Sequence, residues 1–174
     1  IFKSLYSATN IILSLYIKVF YWKGIELIKM KKLFAKTCIA SDHAGYELKE
    51  KIKDFLVKNG IAVIDLGPFS GVIVDYPDYA KKVAKRLILK KSDSGILVCG
   101  SGTGMAITAN KFKGIRAAQC YDKLSTILSR QHNNSNIICI GSRMLKYKEA
   151  CKYVTYFLNT KFEGGRHQKR INKI

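Results

Sequence analysis

From residue 33 onward, short apolar runs of strand length alternate with longer stretches whose apolar positions recur at helical spacing. "FAKTCIA", starting at Phe34, reads as a strand. "GYELKEKIKDFLVKNG" reads as a helix with Leu48, Ile52, Phe55 and Leu56 on one face and Asn59-Gly60 as its stop. "IAVIDLG" gives a second strand. A helix beginning near Pro77 sets Ala80, Val83, Ala84 and Leu87 on one stripe, with proline suited to its first turn. The strand "SGILVC", a glycine loop and a helix through "MAITANKF" follow. Then come the strand "GIRAAQC", the helix "DKLSTILSRQH", the strand "NIICIG" and the helix "KEACKYVTYFLN". Strands alternating with helices predict right-handed crossovers and a mainly parallel sheet covered on both faces. The fold class is therefore α/β, doubly wound, a Rossmann-like three-layer sandwich. The polar, glycine-containing tail after Asn159 reads as disordered on its own, unless the two arginines of "GGRHQKR" dock it on a phosphate site.

Length and composition fit one soluble domain: 174 residues, 48% of them hydrophobic. Residues 33–174 are expected to form it. The apolar run "NIILSLYIKVFYW" near the start is interrupted by Lys18, too short for a membrane span and without a small-x-small cleavage site. Residues 1–32 are expected to be a non-native or poorly ordered extension, with Met30 as the working start. The net charge of +19 is spread through almost every segment rather than gathered with aromatics on one element. That distribution predicts a solvated lysine surface and no specific nucleic-acid partner. Five cysteines, Cys38, Cys99, Cys120, Cys139 and Cys151, form no C-x-x-C pair and suit a reducing, cytoplasmic setting.

Ligands of an open parallel sheet sit beyond the carboxyl ends of its strands. Three polar segments are expected there: "SDHAG" after the first strand, "CGSGTG" after the third, and "SRQHNN" leading into the fifth. "GSGTGM" is not a dinucleotide fingerprint, because Met105 stands where the last glycine belongs and the loop follows the third strand. Gly100, Gly102 and Gly104 nevertheless free several backbone N–H groups to converge on an anion. A thiol beside such a positive concavity, as Cys99 is, is placed to act as a nucleophile or general base. His43 and His132 adjoin Asp42 and Asn133, and the third histidine, His167, lies in "GGRHQKR". Ser101 is not in a G-x-S-x-G elbow, and the histidines and carboxylates lack short zinc-type spacing, so neither a hydrolase triad nor a metal is implied.

Taken together, "SDHAG", "DYPDYA", "CGSGTGMAITANK", "GIRAA", "LSRQHNN", "GSR" and "EGGRHQKR", in this order over about residues 37–170, resemble the type B ribose-5-phosphate isomerases. That family also holds allose-6-phosphate isomerases and galactose-6-phosphate isomerase subunits. The resemblance implies interconversion of ribose 5-phosphate and ribulose 5-phosphate in the pentose phosphate pathway, without a cofactor, through an enediolate. It makes Cys99 the base and His132 the ring-opening acid/base, assisted by Asp42. The N–H groups of Gly100, Ser101, Gly102, Thr103 and Gly104 become the hole for the enediolate oxygen. His43, Arg166 and Arg170 become the phosphate clamp, and Asn133 and Arg143 further substrate contacts. Family members that lack the cysteine place a glutamate just past the glycine loop. Here Met105, Ala106 and Ile107 follow it, which points to the cysteine-dependent branch. The resemblance also implies a homodimer or tetramer with sites between subunits.

Overall fold

The computed structural model describes residues 33–174; the expectation for residues 1–32 falls outside the described residues. Strands β1 (Thr37–Ser41), β2 (Val63–Asp65), β3 (Ser94–Cys99), β4 (Ala117–Gln119) and β5 (Ile137–Gly141) form one sheet in the order β2-β1-β3-β5-β4. Every neighbouring pair is parallel. The helices between and after them are α1 (Tyr46–Lys58), α2 (Tyr76–Ile88), α3 (Thr103–Ala109), α4 (Lys123–Gln131), α5 (Tyr147–Asn159) and α6 (Arg166–Ile171). The doubly wound α/β architecture expected from the alternating pattern is the one observed.

Alternation along the strands divides the core into two layers. Ile39, Ile96, Val98, Ile138 and Ile140 pack with α1 and α5 through Leu48, Ile52, Leu56, Val154 and Phe157. Cys38, Ala40, Leu97, Cys99 and Cys139 face the other side, against Ala80, Val83, Ala84 and Leu87 of α2 and Met105 and Ala109 of α3. The stripes expected on α1 and α2 are buried, except that Phe55 only borders its cluster. The edge strands β2 and β4 are shorter than the apolar runs containing them, because each has a ladder partner on one side only.

Of the two readings of the tail, disorder on composition alone or a docked segment, the structure shows an ordered one. Residues 166–171 form α6, and Glu163 N–H donates to Gln131 O at 3.1 Å, tying the tail to the end of α4. His167 is buried against His132, which anchors a segment with little apolar content of its own.

A charged group sits inside the α1 layer. Lys49 is fully buried, and its ammonium donates to Asp65 Oδ2 at 2.7 Å and Glu50 Oε1 at 2.5 Å. Lys53 donates to the same two carboxylates. Burial alone would raise the Asp65 carboxyl, but hydrogen bonds from Lys49 and Lys53 outweigh it and hold the group below the usual carboxylate range. Asp65→Asn leaves the buried ammonium with Glu50 alone and is expected to cost about 2 to 3 kcal/mol of stability in urea unfolding at neutral pH. A carboxyl lowered on folding stabilises fully above its unfolded value near pH 4, and that contribution fades as acidification passes the folded value. The difference between wild type and variant should therefore narrow below about pH 4. Equal midpoints at neutral pH would show that the ion pair adds nothing.

Candidate active site

The carboxyl end of the sheet carries the glycine loop. Cys99 closes β3 at 4% exposure, and the chain turns over its sulfur so that Gly102 N–H donates to Sγ at 3.1 Å. A thiolate accepts such a bond more strongly than a thiol does. The turn requires glycine at position 102, where φ is +86° and a Cβ would lie 3.2 Å from Cys139 O. Ser101 and Thr103 are exposed, with Thr103 N–H donating to Ser101 Oγ at 3.3 Å. Gly104 packs under the Tyr76 ring, so closely that any side chain there would collide with it. Arg143 N–H donates to Gly100 O, and its exposed guanidinium lies over Gly100.

"SDHAG" reaches the same end. Asp42 is buried beside the cysteine strand, its N–H donating to Val98 O at 3.1 Å and its Oδ1 accepting from Gly45 N at 2.8 Å. His43 is exposed, with Nδ1 3.0 Å from Val74 O. The other four cysteines are buried without such a loop. Burial pushes the thiols of Cys38 up to about 11 and Cys151 up to about 12, and raises Cys120 and Cys139 as well. They stay protonated at neutral pH and behave as core residues.

The second polar group lies elsewhere. His132 caps the carboxyl end of α4, stacked on His167 with ring centroids 4.1 Å apart and planes 6° from parallel. Glu163 Oε2 is 3.9 Å from His132 Nε2 and 3.8 Å from His167 Nε2. Arg166 Nε–H donates to His167 Nε2 at 3.4 Å, while Arg166, Arg170 and Asn133 are exposed. Burial, then the charges of His132, Arg166 and Arg170, lower His167 below its ordinary value against the opposing pull of Glu163.

The expectation that "SRQHNN" joins the other two segments at the carboxyl ends is overturned. All strands run the same way, and this segment enters β5 rather than leaving it, so it lies at the amino end. Cys99 pairs with Gly141 at one end of the ladder and Gly95 with Ile137 at the other, roughly 13 Å apart at about 3.3 Å per residue. His132 lies beyond the amino end, together with Asn133, Arg166 and Arg170. One chain thus holds two half-sets: Asp42, His43, Cys99, the 100–104 loop and Arg143 at one end, and His132, Asn133, Arg166 and Arg170 at the other.

Two arginines that the sequence reading left without a role shape the amino-end set. Arg116 donates from Nε to Asn133 O at 3.0 Å and from Nη2 to Asn134 O at 2.9 Å. Arg130 donates to Asn134 Oδ1, Ser135 O and Thr160 O, fixing the loop after His132 and the start of the tail. Both stand inside quoted motifs, "GIRAA" and "LSRQHNN", which was the available signal. The grouping of His132, Glu163 and His167, whose donor atoms lie within 4.8 Å of one another, was also missed by a search for short spacings.

Among the described residues no helix is long and apolar enough to cross a membrane. Residues 37–174 match the model of the ribose/galactose isomerase family. The chain is 45% identical over 139 residues to ribose-5-phosphate isomerase B of Escherichia coli K12, an alignment covering 80% of this chain and 93% of that protein. Its fold is similar to the crystal structure of a ribose 5-phosphate isomerase of Thermotoga maritima, with TM-score 0.79 and 50% identity over 80% of this chain and 96% of that one. It is also similar to ribose-5-phosphate isomerase B of Mycoplasma genitalium with bound ribulose-5-phosphate, with TM-score 0.76 and 44% identity over 79% and 92% of the two chains.

Proposed function

The chain belongs to the ribose/galactose isomerase family, and on that premise we propose that it interconverts ribose 5-phosphate and ribulose 5-phosphate with Cys99 as the base. The observation that carries this reading is the buried Cys99 sulfur accepting the Gly102 N–H at the mouth of the glycine loop. The thiolate removes the proton on C2 of the open-chain aldose. The electrons of that bond form the C1–C2 double bond, and the carbonyl pair moves onto O1 as the enediolate oxygen. Backbone N–H groups of the 100–104 loop stabilise that charge; those of Gly102 and Thr103, bonded to Cys99 Sγ and Ser101 Oγ, must be released before they can join in. The O2 proton then passes to O1, and the Cys99 thiol delivers its proton to C1, giving the ketose and regenerating the thiolate.

Opening the furanose beforehand needs an acid/base pair, the role of His132 assisted by Asp42. Those two residues lie at opposite ends of one subunit's sheet. We therefore place each active site between two copies of the chain, with Asp42, His43, Cys99 and Arg143 from one and His132, Asn133, Arg166 and Arg170 from the other. Exposed Phe69, Val72, Ile73 and Tyr76 border the cysteine half, an apolar surface suited to burial against a second copy. Arg166 and Arg170 are exposed one helical turn apart on α6, a spacing that lets both guanidinium groups address one phosphate.

Ribulose 5-phosphate formation from ribose 5-phosphate by purified protein in chelator tests the reaction, with allose 6-phosphate as the competing substrate. Turnover on the pentose is the expected result; no turnover on either sugar would overturn the reading. Arg166→Ala should raise KM by about tenfold to a hundredfold with kcat largely kept, since a charge-assisted hydrogen bond contributes about 1.5 to 3 kcal/mol. An unchanged KM would remove Arg166 from the phosphate clamp.

A further inference from the structure

We propose that His132, Glu163 and His167 form a binding site for a transition-metal ion of the zinc class, and that filling it arrests the isomerase. The inhibitory half of this proposal rests on the role given above to His132.

Two imidazoles and a carboxylate with an open fourth position are a zinc donor set, and that mixture favours zinc, cobalt or nickel over magnesium or calcium. The Glu163 oxygen stands 3.9 Å from His132 Nε2 and 3.8 Å from His167 Nε2. These separations are too long for hydrogen bonds. Donors about 2.0 to 2.1 Å from a shared tetrahedral ion lie about 3.3 Å apart, so the two Glu163 separations must each close by roughly half an ångström, and the two imidazole donors, which like the rest lie within 4.8 Å of each other, must approach as well. The stacked rings, 6° from parallel, must also tilt toward the carboxylate.

The supporting backbone is held. His132 N–H donates to Leu128 O at 2.9 Å, Glu163 N–H to Gln131 O at 3.1 Å, and His167 N–H to Gly164 O at 3.0 Å. Access is open, since the His132 and Glu163 side chains are 35% and 49% exposed while that of His167 is 6% exposed. Two features oppose binding. The Arg166 Nε–H now occupies His167 Nε2 and must yield, which its long 3.4 Å contact makes cheap. The charges of Arg166 and Arg170 repel a cation, so the site suits a reversible, regulatory ion rather than a permanent one. A metal on His132 takes the lone pair that ring opening needs, which is why occupancy should stop turnover.

The test titrates the chelator-treated full-length chain with Zn²⁺, and with Co²⁺ as a spectroscopic probe. The expected result is one equivalent per chain, with a cobalt spectrum lacking a thiolate charge-transfer band and unchanged in Cys99→Ser. Glu163→Gln, a change at an exposed side chain, should weaken binding by at least about tenfold. Isomerase activity should fall in step with zinc occupancy and return with chelator. Glu163→Gln should need at least about ten times more zinc for the same fractional loss of its own metal-free rate. A thiolate band that disappears in Cys99→Ser, or equal affinity in Glu163→Gln, would overturn the site. Zinc that fills the site without slowing the enzyme would overturn the inhibitory role. His132→Asn assayed without metal reports separately on ring opening: full activity there would sink the role of His132 whatever zinc does.

Discussion

Cys99→Ala should leave a folded protein whose isomerase turnover has fallen by about 1,000-fold or more. Without the sulfur, the glycine loop offers only N–H donors and the weakly acidic hydroxyls of Ser101 and Thr103. Met105, Ala106 and Ile107 follow it, and the nearby Asp42 carboxylate is engaged by Gly45 N–H. Loss of a positioned general base typically costs about 100 to 10,000-fold. The fold should survive, because removing one buried atom costs about 1 kcal/mol, which corresponds to a few degrees in Tm for a chain of this size. Cys99→Ser separates chemistry from shape. An alcohol fills the space and can accept the Gly102 N–H, but it ionises far less readily than a thiol, so this variant should also be nearly inactive. Turnover within tenfold of wild type for either variant, measured on ribose 5-phosphate, would remove Cys99 as the base.

Mixing two inactive variants should restore activity. In a two-fold dimer with sites between subunits, Cys99→Ala and His132→Asn each break every site of their own homodimer. A mixed dimer retains one intact site, made from Cys99 of the His132→Asn chain and His132 of the Cys99→Ala chain. Unfolding and refolding the two together yields about half mixed dimers, each with one of its two sites whole, and so about a quarter of wild-type activity. Recovery should depend on exchange of subunits, with no gain when the folded variants are combined and assayed at once. If each site lay within one chain, the mixture would remain as inactive as its components. That outcome would overturn the proposed placement of each active site between two copies of the chain, and it would do so without reference to any particular catalytic step.

Much of the candidate site was legible along the chain because its groups lie within short motifs. Cys99 and the glycines of the 100–104 loop are adjacent in sequence, and their proximity in space follows from one tight turn. Asp42 and His43 could be placed at the same end, since they directly follow a strand parallel to the cysteine strand. His132 was misplaced because the distinction between leaving and entering a strand was not carried through. Whether the tail is ordered stayed open along the chain because composition describes a segment in isolation, whereas α6 is held by His167 buried against His132 and by Glu163 bonded to the end of α4. Arg116 and Arg130 went without a role because each bonds backbone carbonyls several residues away, in contacts that no side-chain pattern announces.

By itself the sequence determined the strand–helix alternation, the doubly wound class, the two core-facing helix stripes and the thiol at its glycine loop. Each of these is set by local periodicity or by a few neighbouring residues. Only the tertiary structure decided which end of the sheet each polar segment occupies, because strand direction becomes a position in space only once the parallel ladder is assembled. It also decided that a buried Lys49 meets Asp65, and that His132, Glu163 and His167 converge. Those groupings join distant segments that are brought together by packing against a shared core, and apart from the four-residue step from Glu163 to His167 no spacing along the chain encodes them.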